Sequence, residues 1–411
     1  MTKCYLLLIL VSLTASAWAQ RPEFEESSSD KPVKVFVLAG QSNMQGKGFP
    51  EPLVWQLSQQ KYRDRYQHLI RDGDFEAFLK KVTATSDPDP RRASLGYDWS
   101  VRHDVWINYL DRRGGLSVGF GNPERCFGPE LNFGHVMGDH FDEQVLIIKT
   151  AWGGRALAKG FLPPSSMASD AEYARQAQAL NEQNKEWNDE EPARIEKYNA
   201  RITEENKTAE RKKRLRVFRA RPMLTVDEYK AQYGVDYRAM VDEVHTCLRE
   251  LGSRFSGYRD QGYELAGFVW FQGWNDQYKE FWHSYERNLE NFIRDVRKEF
   301  QKPQLPFVIG QMGQGGTVEA SADDAPRTII KRAQAAVAKK SAFRDNTICV
   351  PTDVLWDMDA HAIYIGPGGW REDVAKWRQF GNDRGYHYYG SPWFFAQAGT
   401  AFGEAMLQLL Q

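Results

Sequence analysis

Residues 33–44 read VKVFVLAGQSNM, a largely apolar run from Val33 to Ala39 that stops at Gly40 and delivers Gln41, Ser42, Asn43 and Met44. A continuous run of this length ending on glycine is the pattern of a strand buried on both faces. Four more runs share that character: Val145 to Ile148, Gly267 to Phe271, Leu305 to Gly310 and Thr347 to Val350. Between them lie helical patterns. Tyr237 to Leu248 puts Met240, Val241, Val244, Cys247 and Leu248 on one face, and Tyr285 to Phe300 and Phe395 to Leu410 are two more. Strands alternating with helices predict an α/β domain of three layers, α/β/α, around a mainly parallel sheet. In such a sheet ligands bind beyond the carboxyl ends of the strands, where the hydroxyl of Ser42 falls.

The flanking sequence bounds the rest. Residues 1–20, MTKCYLLLILVSLTASAWAQ, carry a short apolar run followed by Ala17-Trp18-Ala19, the pattern of an export leader cleaved after Ala19. That run is too short to span a bilayer, so no membrane span is expected. Residues 20–32 read as a polar linker, with order expected from Val33. Two insertions interrupt the strand–helix alternation. Residues 50–125 have no sustained period. Residues 171–216 are dense in charge and broken by Pro192, with Ile195, Tyr198 and Ile202 as a sparse stripe, which predicts a solvated helical hairpin.

Composition excludes several classes. Across 411 residues 54 Lys and Arg face 55 Asp and Glu, a formal charge of −1, so no overall field invites nucleic acid or anionic lipid. Aromatic content is 13%, which suits sugar faces as well as a core. Beyond Cys4 there remain Cys126, Cys247 and Cys349, widely spaced, which allows at most one disulfide. No metal-ligand spacing and no phosphate loop stand out, so neither metal nor cofactor is implied.

Three segments could carry chemistry. Ser42 is a candidate nucleophile, although Gln-Ser-Asn alone is also an ordinary polar turn and Met44 breaks the G-x-S-x-G elbow. The second run leads into Ala151-Trp152-Gly153-Gly154-Arg155, whose glycines permit the close backbone approach an oxyanion hole needs. The third ends in Gln272-Gly273-Trp274-Asn275-Asp276, where the Asn275 amide is a candidate oxyanion donor. A serine needs a base. His387, just before the last helix, and His361 are loop candidates, whereas His245 lies on the polar side of its helix.

Serine near the start, glycine after the second strand, Gly-x-Asn-Asp in mid-chain and histidine near the end is the order of the SGNH hydrolases. Within that superfamily GQSNM, AWGG, WFQGWND and HYYGS resemble the sialate O-acetylesterase-like (SASA) carbohydrate acetylesterases. The resemblance implies a flavodoxin-like three-layer fold with long insertions, Ser42 as nucleophile and His387 as base. It also implies an oxyanion hole from the Ser42 amide, Gly153 or Gly154, and Asn275. Gln41, Gln272 and Arg155 are then expected at the pocket floor or mouth as substrate contacts. Gly128-Pro129-Glu130-Leu131 also resembles a family segment but carries no assigned role. The usual Asp-x-x-His is displaced: Arg384 stands three before His387, so the third member is Asp383, Asp359, Asp276 or none. The implied activity is removal of O-acetyl groups from carbohydrate outside the cell. A glycan-binding protein with a decayed triad and a GDSL-type lipase are the alternatives.

Overall fold

The computed structural model describes residues 25–71, 77, 78, 80, 99–209, 211–318 and 322–411. The expected leader, residues 1–19, and residues 20–24 lie outside the described residues. Residues 25–32 lie against the body rather than apart from it: the Trp106 indole donates to Glu26 Oε1 at 3.2 Å, and Ser27 N to Gln144 Oε1 at 3.0 Å.

Seven strands form one sheet: β1 Val33–Gly40, β2 Arg102–Tyr109, β3 Arg112–Leu116, β4 Val145–Ala151, β5 Tyr263–Phe271, β6 Phe307–Gln311 and β7 Thr347–Pro351. Their order is β3-β2-β4-β1-β5-β6-β7, parallel throughout except for the β2–β3 hairpin. The five anticipated strands are all present. β1 lies between β4 and β5, so the chain winds to one side and then to the other from its carboxyl end, which is a topological switch point.

The alternation of β1 assigns the two cores. Phe36 and Leu38 face one side and meet α1 Glu130–His140 and α6 Pro392–Leu410. Val33, Val35, Val37 and Ala39 face the other and meet α3 Val235–Arg249, α4 Tyr285–Glu299 and α5 Pro326–Lys339. Each fully buried side chain of this size contributes about 1.5–3 kcal/mol of transfer free energy, so the sheet is stabilised from both faces.

The insertions differ from expectation. The 50–125 segment, aperiodic in sequence, contributes a strand to the sheet, because Val105–Tyr109 pairs in parallel with Val145–Lys149 of β4. Arg102 disguises this strand in the sequence. Its guanidinium is fully buried and is neutralised by Asp104 at 2.5 Å and Asp139 at 2.6 Å. The 171–216 segment is not a helical hairpin. It is one 36-residue helix, α2 Asp170–Glu205, that continues through Pro192, and the chain returns along it extended. Arg211 with Arg214 and Lys212 with Arg216 would repel at helical spacing. The return limb instead satisfies its backbone on asparagines. Asn181, Asn188, Asn199 and Asn206 each donate from Nδ2 to a carbonyl and accept an N–H at Oδ1 from the same residue: Leu224, Arg221, Arg216 and Lys213. Helix steps of seven, eleven and seven residues face return steps of three, five and three. At about 1.5 Å per helical residue these are about 10.5, 16.5 and 10.5 Å, which an extended chain covers at about 3.4 Å per residue.

No helix among the described residues is long and apolar enough to cross a membrane. Cys126, Cys247 and Cys349 are free thiols.

Candidate active site

Strands β4, β1 and β5 are neighbours, so the turns leaving their carboxyl ends are neighbours too. Gly40 ends β1 where a Cβ would run into the Phe271 carbonyl, and only glycine lets the chain turn there beside β5. The next residues form a single helical turn, Ser42–Gln45. At the end of β4, Gly154 has φ +75° and open space around it, so its backbone conformation rather than crowding asks for glycine. A cleft of about 530 Å³ lies over these turns, lined by Ser42, Gly153, Gly154, Asn275 and His387 together with Gln45, Lys47 and Trp274. Tyr278 and Tyr386, both largely exposed, stand at its rim.

The histidine loop reaches the cleft because it is held in a shape its sequence would not choose alone. Tyr388 and Tyr389 both have positive φ, 50° and 62°, which costs on the order of 1 kcal/mol or more per residue. Buried partners hold them there. Tyr388 stacks on Phe394 with centroids 3.5 Å apart, its hydroxyl accepts Gly313 N at 3.0 Å, and the Tyr389 hydroxyl lies 2.9 Å from His361 Nδ1. The Tyr389 carbonyl then accepts both Asn382 N and Asp383 N, folding the loop back on itself. Asp383 Oδ2 thereby lies 2.9 Å from His387 Nδ1 in spite of the four-residue spacing.

Burial pushes the Asp383 carboxyl up, but the His387 hydrogen bond and charge, the Arg384 amide and Lys47 outweigh it and hold its pKa below the usual value. An ionised Asp383 can only accept, so His387 Nδ1 carries the proton and Nε2 is left as an acceptor. The other two acids are committed elsewhere. Asp359 is exposed and accepts from the Tyr62 hydroxyl at 3.0 Å. Asp276 is fully buried and accepts Leu157 N, Ala158 N and Gln272 Nε2 at 2.8, 2.9 and 2.6 Å, clasping the glycine turn to the Asn275 turn. Burial raises its pKa to about 6 despite those donors. His361 is buried on Tyr389 and does not line the cleft; His245 is exposed beside Glu299.

Two of the expected substrate contacts have their amides engaged within the protein. Gln41 is 2% exposed: its Nε2 donates to Asn275 Oδ1 at 3.0 Å, and its Oε1 accepts Gly273 N and Asn275 N. With its oxygen engaged, Asn275 turns its amide donor away from Gln41. Gln272 is 3% exposed, with its amide nitrogen on Arg155 O and Asp276 and its oxygen 3.1 Å from the Tyr285 hydroxyl. Both are struts because both ends of each amide are bonded to protein, and neither lines the cleft. Arg155 is exposed, 3.4 Å from Asp236, and also outside the lining.

The family profile described as carbohydrate esterase, sialic acid-specific acetylesterase, matches residues 32–188 and 223–362. The chain belongs to the SASA family of carbohydrate esterases. The match bridges the far half of the α2 arm and stops before Asp383 and His387. Among solved structures, this SASA member is similar to a protein from Arabidopsis thaliana, at 14% identity and TM-score 0.44, over 92% of this chain and 98% of that one. It is also similar to a carbohydrate acetylesterase from Xanthomonas citri, at 12% identity and TM-score 0.37, over 77% of this chain and 50% of that one. No curated protein sequence matches.

Sequence reasoning missed a second buried support in this SASA member. Lys149, in mid-strand on β4, is fully buried and donates to Glu130 Oε2, Gln45 O and Phe120 O at 2.7, 2.7 and 2.8 Å. It thus anchors the carbonyl that closes the Ser42 turn, and it gives Glu130 of the Gly-Pro-Glu-Leu segment its role. Burial lowers its pKa to about 8 against the pull of Glu130. A lysine inside the run VLIIKTA was the available signal, since a charge in a strand buried on both faces demands a partner.

Proposed function

We propose that the chain is an exported serine esterase that removes O-acetyl groups from carbohydrate through an acetyl-serine intermediate. The observation that carries this reading is His387, hydrogen-bonded from behind by Asp383, lining one cleft with Ser42 and Asn275, in a chain of the carbohydrate esterase family.

His387 Nε2 takes the Ser42 hydroxyl proton as Oγ bonds to the acetyl carbonyl carbon. The carbonyl oxygen becomes an oxyanion facing the Ser42 amide, the Gly153 or Gly154 amide and Asn275 Nδ2, a donor worth roughly 3 kcal/mol in such sites. Collapse breaks the ester C–O bond, and the sugar oxygen leaves with the proton held on His387. Water, deprotonated by the same imidazole, then releases acetate and restores Ser42. Trp274, Tyr278 and Tyr386 give the sugar flat faces at the rim.

Acetate release from p-nitrophenyl acetate and from acetylated xylo-oligosaccharides tests the reading. Ser42→Ala is expected to lose at least about 10³-fold in kcat while keeping its near-UV spectrum and Tm, because a small residue replaces a small one. Wild-type protein that releases no acetate yet binds glycans is a binding protein, and a preference for octanoyl over acetyl esters points to a lipase. Export predicts a secreted product beginning at Gln20, read by N-terminal sequencing.

A further inference from the structure

The α2 arm is a built structure without a core. No described residue of 170–224 belongs to either hydrophobic core, and along α2 only Tyr173, Ala177, Asn184, Glu191 and Ile202 are buried. Its return limb is nevertheless fixed by the asparagine ladder and by two stacked cations, Arg216 over Tyr198 at 4.0 Å and Arg221 over Trp187 at 3.8 Å. The limb, RKKRLRVFRAR over 211–221, holds seven cations and no acid. The formal charge of −1 for the whole chain is therefore a balance of segregated parts.

Arg211, Lys212, Arg214 and Arg219 are exposed and make no ion pair, hydrogen bond or ring contact among the described residues. Val217, 79% exposed, and Leu215 stand between them. Holding four cations in a row without an ion-pair partner is unfavourable in the isolated arm and becomes favourable toward an anion. The family match omits residues 189–222, so the outer part of the arm, which carries the strip, is an addition to the esterase body.

We propose that this strip is a docking surface for a carboxylated polysaccharide, separate from the catalytic cleft. Arg211 and Arg219 are eight residues apart in an extended chain, a span of about 26 Å that fits a linear polymer rather than a single sugar. A carboxylated glycan offers sparse charge for the cations and C–H ring faces for Leu215 and Val217. Duplex nucleic acid, with one charge per roughly 1.7 Å, would crowd its phosphates against Glu205, which pairs with Lys213 inside the strip. A second copy is disfavoured because three of the helix acids already serve the arm itself: Glu190 pairs with Arg194, Glu204 with Lys207, and Glu205 with Arg201 and Lys213.

The test is binding of the full mature chain to immobilised polygalacturonate at about 50 mM salt, with neutral dextran and double-stranded DNA as parallel surfaces and light scattering for self-association. Wild type and Ser42→Ala are expected to bind polygalacturonate alike, to ignore dextran, and to release as salt rises. The variant Arg211→Gln/Lys212→Gln/Arg214→Gln/Arg219→Gln is expected to bind about tenfold or more weakly, with p-nitrophenyl acetate turnover unchanged. These side chains hold nothing in place, so the fold should survive, and an unchanged Tm checks that. Absence of binding, equal binding by the quadruple variant, tighter binding to DNA, or a dimer lost in the variant each overturns the proposal. Because Ser42→Ala is expected to bind normally, failure here is distinguishable from failure of the esterase reading.

Discussion

Replacing Asp383 by Asn probes the one geometric relation that the Asp-x-x-His spacing did not anticipate. The carboxylate lies 2.9 Å from His387 Nδ1, with the two side chains 22% and 18% exposed. When His387 takes the Ser42 proton its ring becomes positive, and the new charge sits about 4 Å from the carboxylate centre. At an effective dielectric near 20 that attraction is roughly 4 kcal/mol, and partial exposure reduces it to about 3 kcal/mol. Asn removes the attraction, and its amide can also donate to Nδ1 and stabilise the wrong tautomer. Together these predict a fall in kcat on the order of 10³-fold, with KM nearly unchanged because Asp383 does not line the cleft. The assay is steady-state acetate release near pH 7.5 beside an Asp359→Asn control expected to keep most of its activity. An Asp383→Asn enzyme within about threefold of wild type would falsify the pairing, as would equal damage from Asp359→Asn.

Two further outcomes follow from the buried charges. Lys149→Met strands Glu130 as a buried unpaired carboxylate and should cost about 3–5 kcal/mol in urea unfolding, with part of the loss recovered in Lys149→Met/Glu130→Gln; a loss below about 1 kcal/mol refutes the anchoring role. Asp276 has a folded pKa raised to about 6 from 3.8, so its contribution to stability is fully present below pH 3.8 and is lost as pH rises through about 6. The stability of wild type relative to Asp276→Asn should therefore increase by up to about 3 kcal/mol between pH 7 and pH 4, and a decrease toward acid means the carboxylate is stabilised by its donors instead.

What was legible in the sequence was legible for local reasons. Val33 to Gly40 announces a central strand because its apolar character is unbroken, and the turns after β1, β4 and β5 meet because those strands are neighbours. β2 was hidden because Arg102 depends on Asp104 and Asp139, and no local period records a partner 37 residues away. The duties of Gln41 and Gln272 were hidden likewise: a glutamine near a nucleophile looks like a substrate ligand until its partners on other turns, 232 residues distant for Gln41 and 117 for Gln272, are in view. The Asp383–His387 contact exists because the buried rings of Tyr388 and Tyr389 hold left-handed backbone, a cost that sequence spacing does not display. The arm's return limb has the composition of a helix and becomes extended through like-charge repulsion and the asparagines opposite it.

That asparagine ladder acts as a ruler with discrete marks. Register is kept only when the helix gains or loses two turns while the strand beside it gains or loses three residues, so lengths between those marks leave an amide without its mate. Excising Asn199 to Glu205 together with Arg214 to Arg216 would shorten the projection by one whole mark and bring Asn206 opposite Lys213 again, whereas trimming either limb alone would unzip everything distal to the cut.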